Sequence, residues 1–169
     1  MSYATPWSAK SFTLMTAKNN IHIDIAVECK GWPMINSPLK QAVRQTLDGA
    51  GYTHNAELSL VLANDSFIRN LNKTYRDKDK PTNVLSFPQD MENGLLGDVV
   101  MALETLQQEA QEQDKSFHDH VMHMVVHGTL HLLGYDHETD PEAEEMEALE
   151  IKILEDMGIK NPYGIADSM

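Results

Sequence analysis

The chain has 169 residues, 41% hydrophobic and 23% charged, with a formal net charge of −13 at pH 7. One globular domain with a core of normal size fits that length and composition, and no apolar run approaches the ~18 residues of a membrane span. The acidic balance argues against indiscriminate nucleic-acid binding, and a single cysteine, Cys29, excludes an intramolecular disulfide and suits a reducing cytosol.

Residues 1–20 lack the apolar block of a signal peptide. They are read as a loosely ordered extension, within which Met15 is an alternative start. Ile21 to Val27 alternates apolar and less apolar residues as a half-buried strand does. Ser37-Pro38 predicts a helix start, with Leu39, Val43 and Leu47 inward and Gly49 to Gly51 at its end. Glu57 to Ala63 is the second strand. Asp65 is expected to cap a second helix running to about Tyr75, with Phe67, Ile68 and Leu71 inward.

A polar loop from Arg76 to Asn83 follows, broken by Pro81. Val84 to Phe87 reads as a short edge strand stopped by Pro88. Leu95 to Ala102 is the fourth strand, and an amphipathic helix extends from Ala102 to about Glu112. A second helix over 117–133 carries most of the histidines. A last helix, capped at Asp140-Pro141 and closed by Gly158, turns Met146, Leu149, Ile153 and Met157 inward. Two strand–helix–strand units followed by helices predict a single α+β (α/β layered) domain over 21–163, with a four-stranded mixed sheet, about five helices and a tail at 164–169.

Five of the eight histidines fall between His120 and His137. His127 and His131 are one turn apart and share a helix face. Gly134 ends the helix in the left-handed conformation that glycine adopts cheaply, so His137 can return to the same side. Three converging imidazoles are the ligand set of a catalytic zinc site with an open fourth position; nickel, copper and iron are the alternatives. The spacing His-x3-His-x2-Gly-x2-His is that of metzincin proteases, but Gly128 stands where those enzymes carry their general-base glutamate. The cage is kept and the peptidase base is missing. His123, one turn earlier, is a candidate for substrate contact or for supporting the site. His118 and His120 are read as surface residues. Asp136 either orients a ligand imidazole or caps the turn after Gly134.

Charge is unevenly spread. Residues 138–156 hold nine acids and one lysine, whereas residues 73–80 hold four of the thirteen basic residues. Both runs suit a solvated surface, and the second also suits a basic rim for phosphate.

The run His127-Gly-Thr-Leu-His131-Leu-Leu-Gly-Tyr-Asp-His137 resembles the signature of the YbeY family of endoribonucleases, or rRNA maturation factors. Leu71-Asn-Lys-Thr-Tyr-Arg76, Lys80-Pro-Thr-Asn-Val-Leu-Ser-Phe-Pro88 and Leu96-Gly-Asp98 are similar to further stretches of that family. Many members have Thr-Asp-Val where this chain has Thr82-Asn83-Val84, a position read here as structural. The resemblance spans about 21–163 and implies a zinc-hydrolase-like fold. It implies a metal-dependent, single-strand-specific endoribonuclease acting in the cytoplasm, in 16S rRNA 3′-end maturation and ribosome quality control. RNA and the ribosome are then the partners, and neither membrane nor DNA is. It carries the zinc ligands onto His127, His131 and His137 and the catalytic arginine onto Arg76. Lys73, Lys78, Lys80 and His123 become candidate substrate contacts.

With Gly128 in place of glutamate, an attacking water would lose its proton to solvent, to the phosphate or to His123; alternatively the RNA 2′-hydroxyl attacks. A metallohydrolase of another substrate class and a ribosome assembly factor with a structural zinc are the rival readings. The second would require a fourth protein ligand.

Overall fold

The computed structural model describes residues 20–164. The expected N-terminal extension and C-terminal tail lie outside the described residues, apart from Asn20 and Gly164. Among these residues the order is β1 (Ile21–Val27), α1 (Asn36–Gly49), β2 (Ala56–Ala63), α2 (Asp65–Arg76), β3 (Val84–Asp90), a 3-10 turn (Met91–Asn93), β4 (Leu95–Ala102), α3 (Leu103–Glu112), α4 (Phe117–Leu132) and α5 (Asp140–Asp156). The protein is a single α+β domain built on a four-stranded mixed sheet. Its strand order is β1-β2-β4-β3, with β1, β2 and β4 parallel and β3 antiparallel at one edge. None of its described helices is long and apolar enough to cross a membrane.

The nearly continuous apolar run of β4 reflects burial on both faces. Val99 and Met101 face the main core with Leu58, Leu60 and Leu62 of β2, while Val100 and Ala102 join a smaller cluster under Ile68 of α2. The main core is closed by α1 through Leu39, Val43 and Leu47 and by α5 through Met146, Ile153 and Leu154. Between them runs α4, which packs on α1, α3, α5, β3 and β4. It is apolar nearly all round, as a helix enclosed by other elements must be, and every residue from His120 to Val126 is buried.

Three helix starts differ from the sequence reading by a residue or two. Ile35 precedes α1 with no side-chain cap, so Ser37 and Pro38 lie inside the first turn. The α2 cap is Asn64, which accepts from the Phe67 N–H; Asp65 instead accepts from the Thr105 backbone and hydroxyl, tying α2 to α3. Thr139, not Asp140, caps α5 and forms a reciprocal capping box with Glu142. Strand β3 continues through Pro88 to Asp90. An edge strand tolerates the missing N–H because half of its backbone groups have no strand to pair with.

Pro88 pairs with Gly97, and there β4 bulges: Glu57 of β2 faces Leu95 while Leu58 faces Gly97. Gly97 has φ +129°, and a Cβ there would overlap the Phe87 carbonyl oxygen. Only glycine satisfies both the left-handed backbone and the close strand approach. Gly97→Ala is therefore expected to lower unfolding free energy by about 2–4 kcal/mol, measured as a lower urea midpoint with an unchanged slope.

Candidate metal centre

The last turns of α4 present His127 and His131 on one face. The helix then closes by Gly134 N–H to the His131 carbonyl at 3.0 Å and Tyr135 N–H to the Leu130 carbonyl at 3.1 Å. This is the Schellman arrangement, with Gly134 at φ +99°. Asp136 accepts from the His137 backbone N–H at 2.8 Å, so its carboxylate shapes the turn rather than a ligand ring. The turn returns His137 to the helix face, with ring centroids 5.6 Å from His127 and 5.1 Å from His131. One ligand nitrogen from each of the three residues lies within 4.8 Å of the others.

The hydrogen bonds assign the tautomers. The Nδ1–H of His131 donates to the Tyr135 carbonyl at 2.9 Å, and the Nδ1–H of His127 donates to Glu150 Oε2 at 2.6 Å. Both acceptors lack a proton of their own, so each ring keeps its proton on Nδ1 and a lone pair on Nε2. The two Nε2 atoms face each other at 3.1 Å. Lone pairs at that separation repel unless a proton or a cation lies between them. Two imidazoles on a tetrahedral ion at 2.0–2.1 Å would be about 3.3 Å apart, so the donor set fits a metal. Burial first, and the neighbouring His127 second, hold His131 below the ordinary imidazole value, which favours its neutral, ligating form.

Glu150 was not singled out from the sequence. It lies on α5 with no exposed surface and accepts from His127 at 2.6 Å, from His123 Nε2 at 3.0 Å and from the Tyr163 hydroxyl. Burial alone would raise its carboxyl, but the hydrogen bonds from His123 and His127 outweigh it and bring it down to about 2. Burial, then the adjacent carboxylate, push the Tyr163 hydroxyl up, so it stays a donor. One signal pointed to Glu150. It sits four residues after Met146 and three before Ile153, on the inward stripe of α5. His123 is only 7% exposed and is turned to this carboxylate, one helical turn before His127.

Gly128 faces the sheet. A Cβ there would lie 2.7 Å from Val99 Cγ1 and 3.2 Å from Ser86 Oγ, and the Ser86 hydroxyl donates to the Gly128 carbonyl at 2.9 Å. This position points away from the histidine face and has no room for a glutamate.

The basic residues form a separate feature. Arg76 ends α2, and Asp77 follows with φ +56°. Arg76, Lys78 and Lys80 line an open cleft of about 410 Å³ whose wall continues through Thr82, Asn83 and Glu109. Lys73 is exposed on α2 but is not part of that wall, and neither are the three histidines. Asn72 holds the loop: its carbonyl accepts from Lys78 N–H at 3.2 Å and its side chain donates to the Lys80 carbonyl at 2.9 Å. Asn83 accepts from Val84 N–H at 2.7 Å and donates to Glu109, whose Oε1 also accepts from His120 Nε2 at 2.8 Å. His120 is thus buried and paired, contrary to its reading as a surface residue: it lies on the α4 face that α3 covers.

The family model for the endoribonuclease YbeY matches residues 26–158. The chain is 42% identical to the endoribonuclease YbeY of Parvibaculum lavamentivorans, over 96% of each chain. It is 48% identical to that of Methylocella silvestris, over 83% of this chain and 85% of the relative. The solution structure of TM1509 from Thermotoga maritima superposes with a TM-score of 0.55 at 26% identity, covering 80% of this chain and 91% of the other. A match of this length, running through the histidine turn and the basic loop alike, makes the chain a member of the YbeY endoribonuclease family.

Proposed function

We propose that this endoribonuclease cleaves single-stranded RNA with one zinc ion held by His127, His131 and His137. In this reading it acts in the cytoplasm on the ribosome, in 16S rRNA 3′-end maturation and quality control. The observation that carries the metal reading is the pair of Nε2 lone pairs facing each other at 3.1 Å, with His137 beside them. Zinc suits an imidazole-only tetrahedral set. Among the described residues the group comprises three ligand side chains, which supports an open fourth position rather than a closed structural site.

When bound, the ion supplies Lewis acidity toward a phosphoryl oxygen and makes a water more acidic. The chain's own residues supply the rest. Arg76 brings a planar fork that matches two phosphate oxygens and stabilises charge building there. Lys78 and Lys80 stand on the same cleft and add point charges toward the backbone of a strand, and Lys73 extends that positive rim along α2. His123 acts on the ligand shell rather than on RNA, because its ring is buried against Glu150. The peptidase alternative is disfavoured because position 128 is packed against Val99.

Elemental analysis of purified protein is expected to give about one zinc per chain, and a His131→Ala/His137→Ala variant is expected to lose it. Equal metal in both would overturn the site. Arg76→Ala is expected to leave unfolding free energy within about 0.5 kcal/mol while cutting single-turnover RNA cleavage by about 10²-fold. Arg76→Lys should recover only part of that rate, because it keeps the charge and loses the fork. Wild-type cleavage by Arg76→Ala would remove the arginine from catalysis. Unfolded polypeptide incubated with the zinc-loaded protein is expected to stay intact. Gly128→Ala is expected to destabilise the fold by about 1–3 kcal/mol through overpacking against Val99, read by denaturant titration.

A further inference from the structure

The hydrogen bonds around Glu150 reach beyond α5 to Tyr163, in a segment that none of the motifs covers. Tyr163 is held in place by its own backbone, whose N–H donates to Asn161 Oδ1 at 2.8 Å. Its ring stands edge-on to His123 with centroids 5.6 Å apart, and its hydroxyl donates to Glu150 Oε1. His123 bonds the same oxygen through Nε2, and its Nδ1 is buried with no partner. That pattern gives the His123 ring one polar task, donation to Glu150. The remaining oxygen of Glu150 takes the His127 Nδ1–H.

We propose that Glu150 and Tyr163 are positioning residues of the metal centre: the Tyr163 hydroxyl and His123 fix the carboxylate, and the carboxylate fixes the His127 ring with its proton on Nδ1 and its Nε2 lone pair toward the ion. The inference rests on the metal reading above. Apolar packing does not account for an acid at this position. Met146, Ile153 and Leu154 share the stripe and would accept an aliphatic neighbour, whereas a fully buried carboxylate carries a large desolvation cost. The cost is met by donors that converge on it from α4 and from the segment after α5. One of those donors is a ligand ring, and a carboxylate bonded to the second nitrogen of a ligand imidazole both orients the ring and raises its basicity. Tyr163 is thereby coupled to the ion without touching it.

The test uses the full chain and Zn²⁺ alone. Zinc affinity is measured by competition with a chromophoric chelator for wild type, Glu150→Gln and Tyr163→Phe, and the His127 tautomer is read by nitrogen-15 NMR on the metal-free proteins. Wild type is expected to show a proton on Nδ1 of His127. Glu150→Gln is expected to bind zinc about 10–100-fold more weakly, with a mixed tautomer. Tyr163→Phe, which removes one oxygen, is expected to weaken binding several-fold and to keep a cooperative melt. Excess zinc should restore RNA cleavage by Tyr163→Phe, which a merely structural role would not predict. Wild-type affinity and tautomer in a folded Glu150→Gln would overturn the proposal. Should Glu150→Gln fail to fold, wild-type affinity in Tyr163→Phe would overturn it. A wild-type chain that binds no zinc would sink the metal reading itself, and this inference with it.

Discussion

The hydrogen bond between His127 and Glu150 joins two requirements that ordinarily conflict. A core excludes charge, and a metal ligand wants a negative acceptor behind it. Here the acceptor is placed within the core and surrounded by donors, so that its charge is spread over three hydrogen bonds rather than left to hydration. Low polarity around such a group strengthens each of those bonds and penalises the loss of any one of them. The carboxylate thus depends on the same helices that it helps to align.

Helix α4 supplies two of the three donors to that carboxylate, His123 and His127. Its apolar sides are clamped between the sheet, α1 and α5; His120 and His123 are buried along it, and His127 and His131 come partly to the surface at its last turns. The close contact of Gly128 with Val99 sets the rotation of the helix about its axis. That rotation aims His127 and His131 at the turn beyond Gly134. A bulkier residue at 128 would swing the pair away from His137 or lift the helix from β4. The glycine therefore belongs to the geometry of the site although it bears no chemistry, and it separates this fold from peptidases that share the histidine spacing.

Periodicity made most of this legible in the amino-acid order. The four strands, the histidine helix and its glycine stop read directly, because each depends on local rules that nothing distant overrides. The convergence of His127, His131 and His137 is legible for the same reason: a helical turn and a glycine suffice to bring three rings together. The starts of α1, α2 and α5 were misplaced, two of them because adjacent polar residues compete for the cap and only tertiary contacts choose. Asp65 loses the cap because Thr105 claims its carboxylate. Pro88 does not end β3, because even the edge position expected from sequence leaves room for a residue without an N–H inside the strand. Glu150 is hard to tell from the other acids of α5 in sequence, since charge composition dilutes the one position whose helical phase is wrong for solvent. Its partners lie on α4 and beyond α5, and no local pattern announces a contact of that kind.

The distribution of these partners along the chain has a consequence for synthesis. Polypeptides emerge N-terminal end first, and α4 can settle on the completed sheet once β4 and α3 are available. At that stage His127, His131 and His137 are already present, but the carboxylate of Glu150 and the hydroxyl of Tyr163 have yet to arrive. A nascent chain halted in the loop before α5 would hold its three rings with no proton acceptor behind the first of them. Completion of this hydrogen-bonded cluster therefore waits for nearly the whole domain to be made, because Glu150 and Tyr163 stand near the end of the described residues.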